Sequence, residues 1–166
     1  MPNVAKVSLI ERKPQPKLPK VISAKALSQA DSYPEWRTIA QALDRRSGAE
    51  RWKKQDSTSR YDYRAIRKRL EEITLLMQRG DPHDLLFYLN EGIHGNMGGM
   101  GSSHLYTKAL YGTKDLVFDY TTAVAQALRQ IAATPASDIT DAEKFEFFHR
   151  ASVCFGRTAI MLSGAG

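Results

Sequence analysis

A chain of 166 residues suits one domain, or one domain with a fragment of another, and its 42% hydrophobic content can fill a core. Its single cysteine, Cys154, excludes an internal disulfide framework and fits a reducing compartment; no apolar run reaches the roughly 18 residues needed to cross a bilayer. A net charge of +6 permits attraction to phosphate-rich partners, lipid headgroups or nucleic acid, without choosing between them.

Residues 1–22 read as a basic, proline-rich arm. Lys6, Arg12, Lys13, Lys17 and Lys20 face one acid, Glu11, among Pro2, Pro14, Pro16 and Pro19. Such a segment buries little apolar surface and is expected to be extended, either solvated or weakly anchored to an anionic surface. It has no apolar core of the kind a secretory signal needs.

A short helix is expected over Ala24 to Ala30. Ser32 and Glu35 then have capping-box spacing with Pro34 in the first turn, and Trp36, Ile39, Ala40 and Leu43 fall on one helical face. Gly48 is the expected stop. Ala49 to Arg60 reads as a polar basic connection in which Trp52 docks onto its own core. Asp62 caps a helix over Tyr63 to Arg79, with Ile66, Leu70, Ile73, Leu76 and Met77 as its stripe. Its basic run, Arg64, Arg67, Lys68 and Arg69, is interrupted by Glu71 and Glu72, which points to a solvated face rather than a phosphate track. Gly80-Asp81-Pro82 ends that helix and starts another, with Leu85, Leu86 and Leu89 inward and Gly92 closing it.

Gly92 to Tyr106 holds five of the eleven glycines and two of the four histidines, between strong helical patterns. It is expected to be a shaped loop. Ser102 or Ser103 can cap a short turn toward Leu110. A long helix from Lys114 to Ala133 follows, with Leu116, Val117, Tyr120, Val124, Leu128 and Ile131 as its stripe and Pro135 as its stop. Thr140 and Glu143 open a last helix, expected to dock through Phe145, Phe148 and Phe155. The tail from Gly156 to Gly166 has an apolar centre of strand length. A lone strand leaves its backbone polar groups unpaired, so a second domain is expected to begin there.

Three chemistries fail on the glycine loop. His83, His94, His104 and His149 include no i, i+4 pair and there is no CxxC, so no metal site and no cofactor is expected. No Gly-Lys-Ser/Thr follows the glycines, and Gly95-Asn96-Met97-Gly98 has a GxxG form without the surrounding pattern of a nucleic-acid clamp. No GxSxG occurs either, because Ser102 and Ser103 precede His104 and Leu105.

The series Tyr33-Pro34-Glu35-Trp36, Leu43-Asp44, Trp52-Lys53, Tyr61-Asp62-Tyr63, Ile66, Arg69-Leu70, Gly80-Asp81, Gly92-Ile93-His94-Gly95-Asn96-Met97-Gly98-Gly99 and Leu105-Tyr106 resembles the triacylglycerol lipase N-terminal domain, which precedes a patatin-like catalytic domain. Gly92, His94, Asn96, Gly98 and Gly99 are its glycine-loop motif. The tail Gly156 to Gly166 is similar to the first strand of a patatin domain entering its glycine-rich loop, with Ala165 in the middle glycine's place. The resemblance implies that Gly164 and Gly166 begin an oxyanion loop. It also implies a mainly α domain over 23–155 of five to six helices, followed by a truncated α/β patatin domain over 156–166. The family's catalytic serine and aspartate have no counterpart here, so the catalytic set is none and the chain alone is expected to be inactive. The implied partner is a patatin-like catalytic domain, in cis or in trans, with a lipid or membrane surface as a second. The expected location is cytoplasmic, at a membrane or lipid-droplet periphery. The alternative is a stand-alone basic helical module for anionic membranes or nucleic acid, of which nucleic acid is the less favoured.

Overall fold

The computed structural model describes residues 23–92 and 97–154. Among them are seven α-helices and no strand: α1 (Ala24–Ser28), α2 (Tyr33–Ser47), α3 (Ala49–Lys54), α4 (Tyr63–Arg79), α5 (Pro82–Gly92), α6 (Asp115–Ala133) and α7 (Asp141–Cys154). Two 3-10 turns, Met97–Gly99 and Ser103–Leu105, lie between α5 and α6. The mainly α class stands. The basic arm and the expected terminal strand fall outside the described residues.

Local signals set most of the helix ends. Ser32 accepts a hydrogen bond from the Glu35 N–H at 3.4 Å, while the Glu35 carboxylate reaches one residue further back, to the Asp31 N–H at 3.2 Å. Asp62 accepts from the Ala65 N–H, and Asp81 accepts from those of both His83 and Asp84. Thr140 and Glu143 complete a reciprocal box, with bonds of 3.3 Å and 2.8 Å. The Thr140 hydroxyl also donates to the Glu143 carboxylate at 2.6 Å, and this bond first, then the Thr140 N–H, holds that carboxyl below its usual pKa. Gly48 and Gly80 close α2 and α4 at positive φ, as left-handed caps.

One apolar cluster runs through α4, α5, α6 and α7. Ile66, Ile73, Leu85, Leu89, Ala127, Ile131 and Phe147 are among its most enclosed members. α4 lies along α6, α5 packs on both, and α7 packs on α5. Small residues at Ala123 and Ala127 let α6 sit close to its neighbours. Ile39, Ala40 and Ala42 of α2 are buried but lie outside this cluster. Trp52 of α3 packs against the cluster, as expected for it, so the α1–α3 flank reaches the main core through α3 rather than through α2.

Two expectations need correction. Ala49 to Lys54 is a helix, not part of a connection. Six residues are too few to show a period, and the αL Gly48 lets the chain turn directly from α2 into α3. In α7 the buried aromatic is Phe147, with Phe148 half-buried against it at 5.1 Å. Phe145 is 68% exposed. The sequence offers phenylalanines on both sides of this helix, and docking on α5 selects the other stripe. Phe155 lies outside the described residues.

Candidate functional site

Gly92 is the last residue of α5, and Arg69 of α4 lies across it: a Cβ there would fall within the guanidinium. Arg69 sits over the Tyr88 ring at 4.5 Å and donates to the Tyr88 carbonyl at 3.3 Å. Residues 93–96, and so His94 and Asn96, are outside the described set, as are Gly164 and Gly166.

Gly98 and Gly99 have φ of 57° and 80° and rest on the start of α4. The Asp62 N–H donates to the Gly98 carbonyl at 2.6 Å. A Cβ on Gly98 would stand 3.1 Å from Ile66 Cδ1 and 3.3 Å from the Asp62 carbonyl. Here glycine meets both a positive φ and a close approach. The neighbouring side chains tie the loop down further. The Tyr120 hydroxyl donates to Met97 Sδ, and the Tyr106 hydroxyl to the Met100 carbonyl. Tyr61 Oη is buried with no hydrogen-bond partner among the described residues, and burial raises its pKa.

The charged centre of the fold lies elsewhere, around α3. Asp44 of α2 is 1% exposed. Its carboxylate accepts from the Leu110 N–H at 2.8 Å, the Tyr111 N–H at 3.1 Å and Lys53 Nζ at 2.9 Å. Burial pushes the Asp44 pKa up, but the Leu110 N–H, Lys53 and the Tyr111 N–H outweigh it and hold the group below its usual value. Burial likewise pulls Lys53 down, and Asp44 with Glu50 more than reverses this. Arg37 covers the Tyr111 ring at 4.9 Å on the same side.

Lys114, just before α6, is 1% exposed and has a different solution. Its Nζ donates to the carbonyls of Trp52 at 2.7 Å and Gln55 at 2.5 Å, at the C-terminal end of α3, and sits 4.3 Å from the centre of the Trp52 ring. Burial lowers its pKa, Lys108 lowers it further, and Asp115 opposes them. Asp44 and Lys114 are not legible as buried groups in the sequence because their backbone partners lie 59 to 67 positions away. Leu43-Asp44 and Trp52-Lys53 were visible only as matching pairs.

The remaining candidates disperse. His83, His104 and His149 are exposed, and among the described residues no group of three potential ligands could hold a metal. Ser102 precedes the Ser103–Leu105 turn without capping it. In the basic run of α4, Arg67 pairs with Asp56 and Arg69 turns to Tyr88, leaving Arg64 and Lys68 on the exposed face beside Glu71. No described helix is long and apolar enough to cross a membrane.

Comparison with known proteins decides the family. Residues 19–153 match a family described as "Domain of unknown function (DUF3336)". The chain belongs to the DUF3336 family. Its curated relatives include patatin-like phospholipase domain-containing proteins of Meyerozyma guilliermondii, 32% identical over 138 residues, and of Phaeosphaeria nodorum, 36% identical over 157 residues. The matches cover 83% of this chain in both cases, and 19% and 18% of the relatives. Triacylglycerol lipase ptl3 of Schizosaccharomyces pombe is 31% identical over 140 residues, covering 84% of this chain and 29% of that protein. This DUF3336 chain therefore spans less than a third of the length of these relatives. No solved structure matches it.

Proposed function

We propose that this DUF3336 chain is the helical N-terminal domain of a patatin-like triacylglycerol lipase or phospholipase. In this reading the parent hydrolyses acyl esters of neutral lipid or phospholipid, and the helical domain contributes no catalytic serine or aspartate. The observation that carries it is the pattern of coverage. Relatives named as patatin-like phospholipases or a triacylglycerol lipase align over 83–84% of this chain, while the chain accounts for only 18–29% of them.

The chemistry within the chain is consistent with an accessory role. The sequence has no GxSxG, and the most enclosed charged groups, Asp44, Lys53 and Lys114, are spent on holding helices together. The partner is a patatin-like catalytic domain, and Gly164 and Gly166 are proposed as the first part of its oxyanion loop, whose N–H groups would face the developing negative charge. The place of action is a membrane or lipid-droplet surface, where such substrates reside.

Sequencing the transcript past the codon for Gly166 tests this. The expected result is an in-frame Gly-x-Ser-x-Gly within several tens of residues, followed later by an Asp-Gly. A stop directly after Gly166, with no patatin-type gene beside it, would contradict the reading.

A further inference from the structure

Between α3 and the Ser103–Leu105 turn lies a cleft of about 340 Å³. Trp52 and Leu105 form its apolar wall, and Thr58, Arg60, His104, Thr107 and Lys108 supply its polar groups. That volume is at the small end of ordinary ligand sites. Among the described residues no carboxylate lines it.

The cations of this cleft lack the carboxylate partners that some other basic groups of the fold have. Lys53 has Asp44 and Glu50, Arg67 has Asp56, and Lys144 has Asp141. Among the described residues neither Arg60 nor Lys108 has an acidic partner within ion-pair distance. Lys108 Nζ lies 5.8 Å from the centre of the Trp52 ring, and the buried Lys114 Nζ lies 4.3 Å from the same ring. The repulsion between these lysines is felt at Lys114, whose pKa Lys108 helps to lower. Lys114 is met by two carbonyls, but Lys108 and Arg60 have no carboxylate within ion-pair distance among the described residues, so an anion beside the Trp52 wall would relieve the repulsion. Hydroxyl donors complete it. Thr58 Oγ1 accepts from the Arg60 N–H at 3.3 Å, which leaves its own O–H proton to donate into the cleft.

The geometry points to this cleft as a binding site for a phosphate monoester. Two cations, Arg60 and Lys108, match the charge of a dianion, with Arg60 able to engage two phosphate oxygens at once. Thr58 and Thr107 add neutral donors, and the Trp52–Leu105 wall accommodates the carbon attached to the ester oxygen. The confined shape favours a single small phosphate group over a nucleic-acid strand, which would need a continuing track of cations. The proposal goes beyond the lipase reading and does not depend on it, because it concerns a site complete within this chain. The phosphate can come from a soluble ester or from a lipid headgroup.

Trp52 provides the readout. With Trp36→Phe as background, Trp52 is the only tryptophan in the chain, and its fluorescence is titrated with inorganic phosphate and with glycerol 3-phosphate. Flotation with phosphatidylcholine vesicles, with and without phosphatidic acid, covers the lipid source. The test variant is Arg60→Gln with Lys108→Gln. Its control is Arg64→Gln with Lys68→Gln, which removes the same charge from the exposed face of α4, and thermal melts confirm that both remain folded. The expected result is a saturable fluorescence change that the cleft variant weakens at least about tenfold and the control leaves within about twofold. Flotation that requires phosphatidic acid and is lost in the cleft variant assigns a lipid headgroup; ester binding without flotation assigns a soluble ester. Either supports the site. Absence of saturable binding to any of these probes would overturn it. So would equal loss in the two variants, or tighter binding of an oligonucleotide that survives the cleft substitutions.

Discussion

The two sides of this domain are held by different forces. On the α4–α7 side, Ile66, Ile73, Leu89, Ala127 and Ile131 are fully enclosed in one apolar cluster. On the α1–α3 side, the buried apolar residues of α2 fall outside that cluster, and beside Trp52, which packs against it, the junction is made by Asp44, Lys53 and Lys114. Apolar packing is non-directional and tolerates repacking. A buried carboxylate bound to two backbone N–H groups and a lysine is directional, so it fixes where the 107–112 segment sits relative to α2. The difference teaches that α3, the shortest helix but one, joins the halves because its side chains and its C-terminal carbonyls are shared between them.

The sharpest way to break the comparison is to remove Asp44. Asp44→Ala leaves Lys53 with Glu50 alone and two backbone N–H groups without their acceptor, and should cost about 3–5 kcal/mol in urea unfolding near neutral pH. Leu89→Ala, its counterpart in the apolar cluster, should cost about 2–5 kcal/mol. The two losses should separate in acid. The Asp44 pKa is lowered on folding, so its contribution is present above the usual carboxylate value of 3.8 and disappears as pH falls through the lower folded value. The Leu89 loss should show no such step. Equal pH dependence for the two would mean that the ion pair does not hold the flank.

Lys114→Met is expected to cost less, about 1–3 kcal/mol, since it leaves the Gln55 carbonyl without its donor but also removes a desolvated charge. Its alkaline signature separates the two buried lysines. Lys114 has a lowered folded pKa, so the cost of burying its charge is relieved as pH rises through that value toward 10.5. Lys53 has a raised one, so its contribution is complete below 10.5 and is lost only above it. Lys114→Met should abolish the rise below 10.5 and keep the fall above it.

The smallest effect expected is at the glycine loop. Gly98→Ala, at positive φ and against Ile66, should cost about 1 kcal/mol. Hydrogen exchange should quicken at Asp62, whose N–H is bonded to the Gly98 carbonyl, before it changes at Asp44.

What could be read from the sequence follows the range of the interactions. Caps are local: Ser32 with Glu35, Asp62, Asp81-Pro82, and Thr140 with Glu143 each act within a few residues, and all of them appear where the pattern places them. The stripes of α4 and α6 were legible because each spans several turns. α3 was not, being shorter than two turns, and α7 was misread because the choice between Phe145 and Phe147 is made by α5, not by α7 itself. The cleft was hidden for the same reason as the ion pair. Trp52, Arg60, His104 and Lys108 converge only after α3 and the loop before α6 are pinned together.

We propose that this DUF3336 domain has no acyl-ester chemistry of its own and depends on a patatin-like partner for it. Turnover of a chromogenic short-chain ester by the purified 166-residue chain tests this most directly. No rate above buffer is expected. Turnover that is abolished by Ser102→Ala or Ser103→Ala would contradict it.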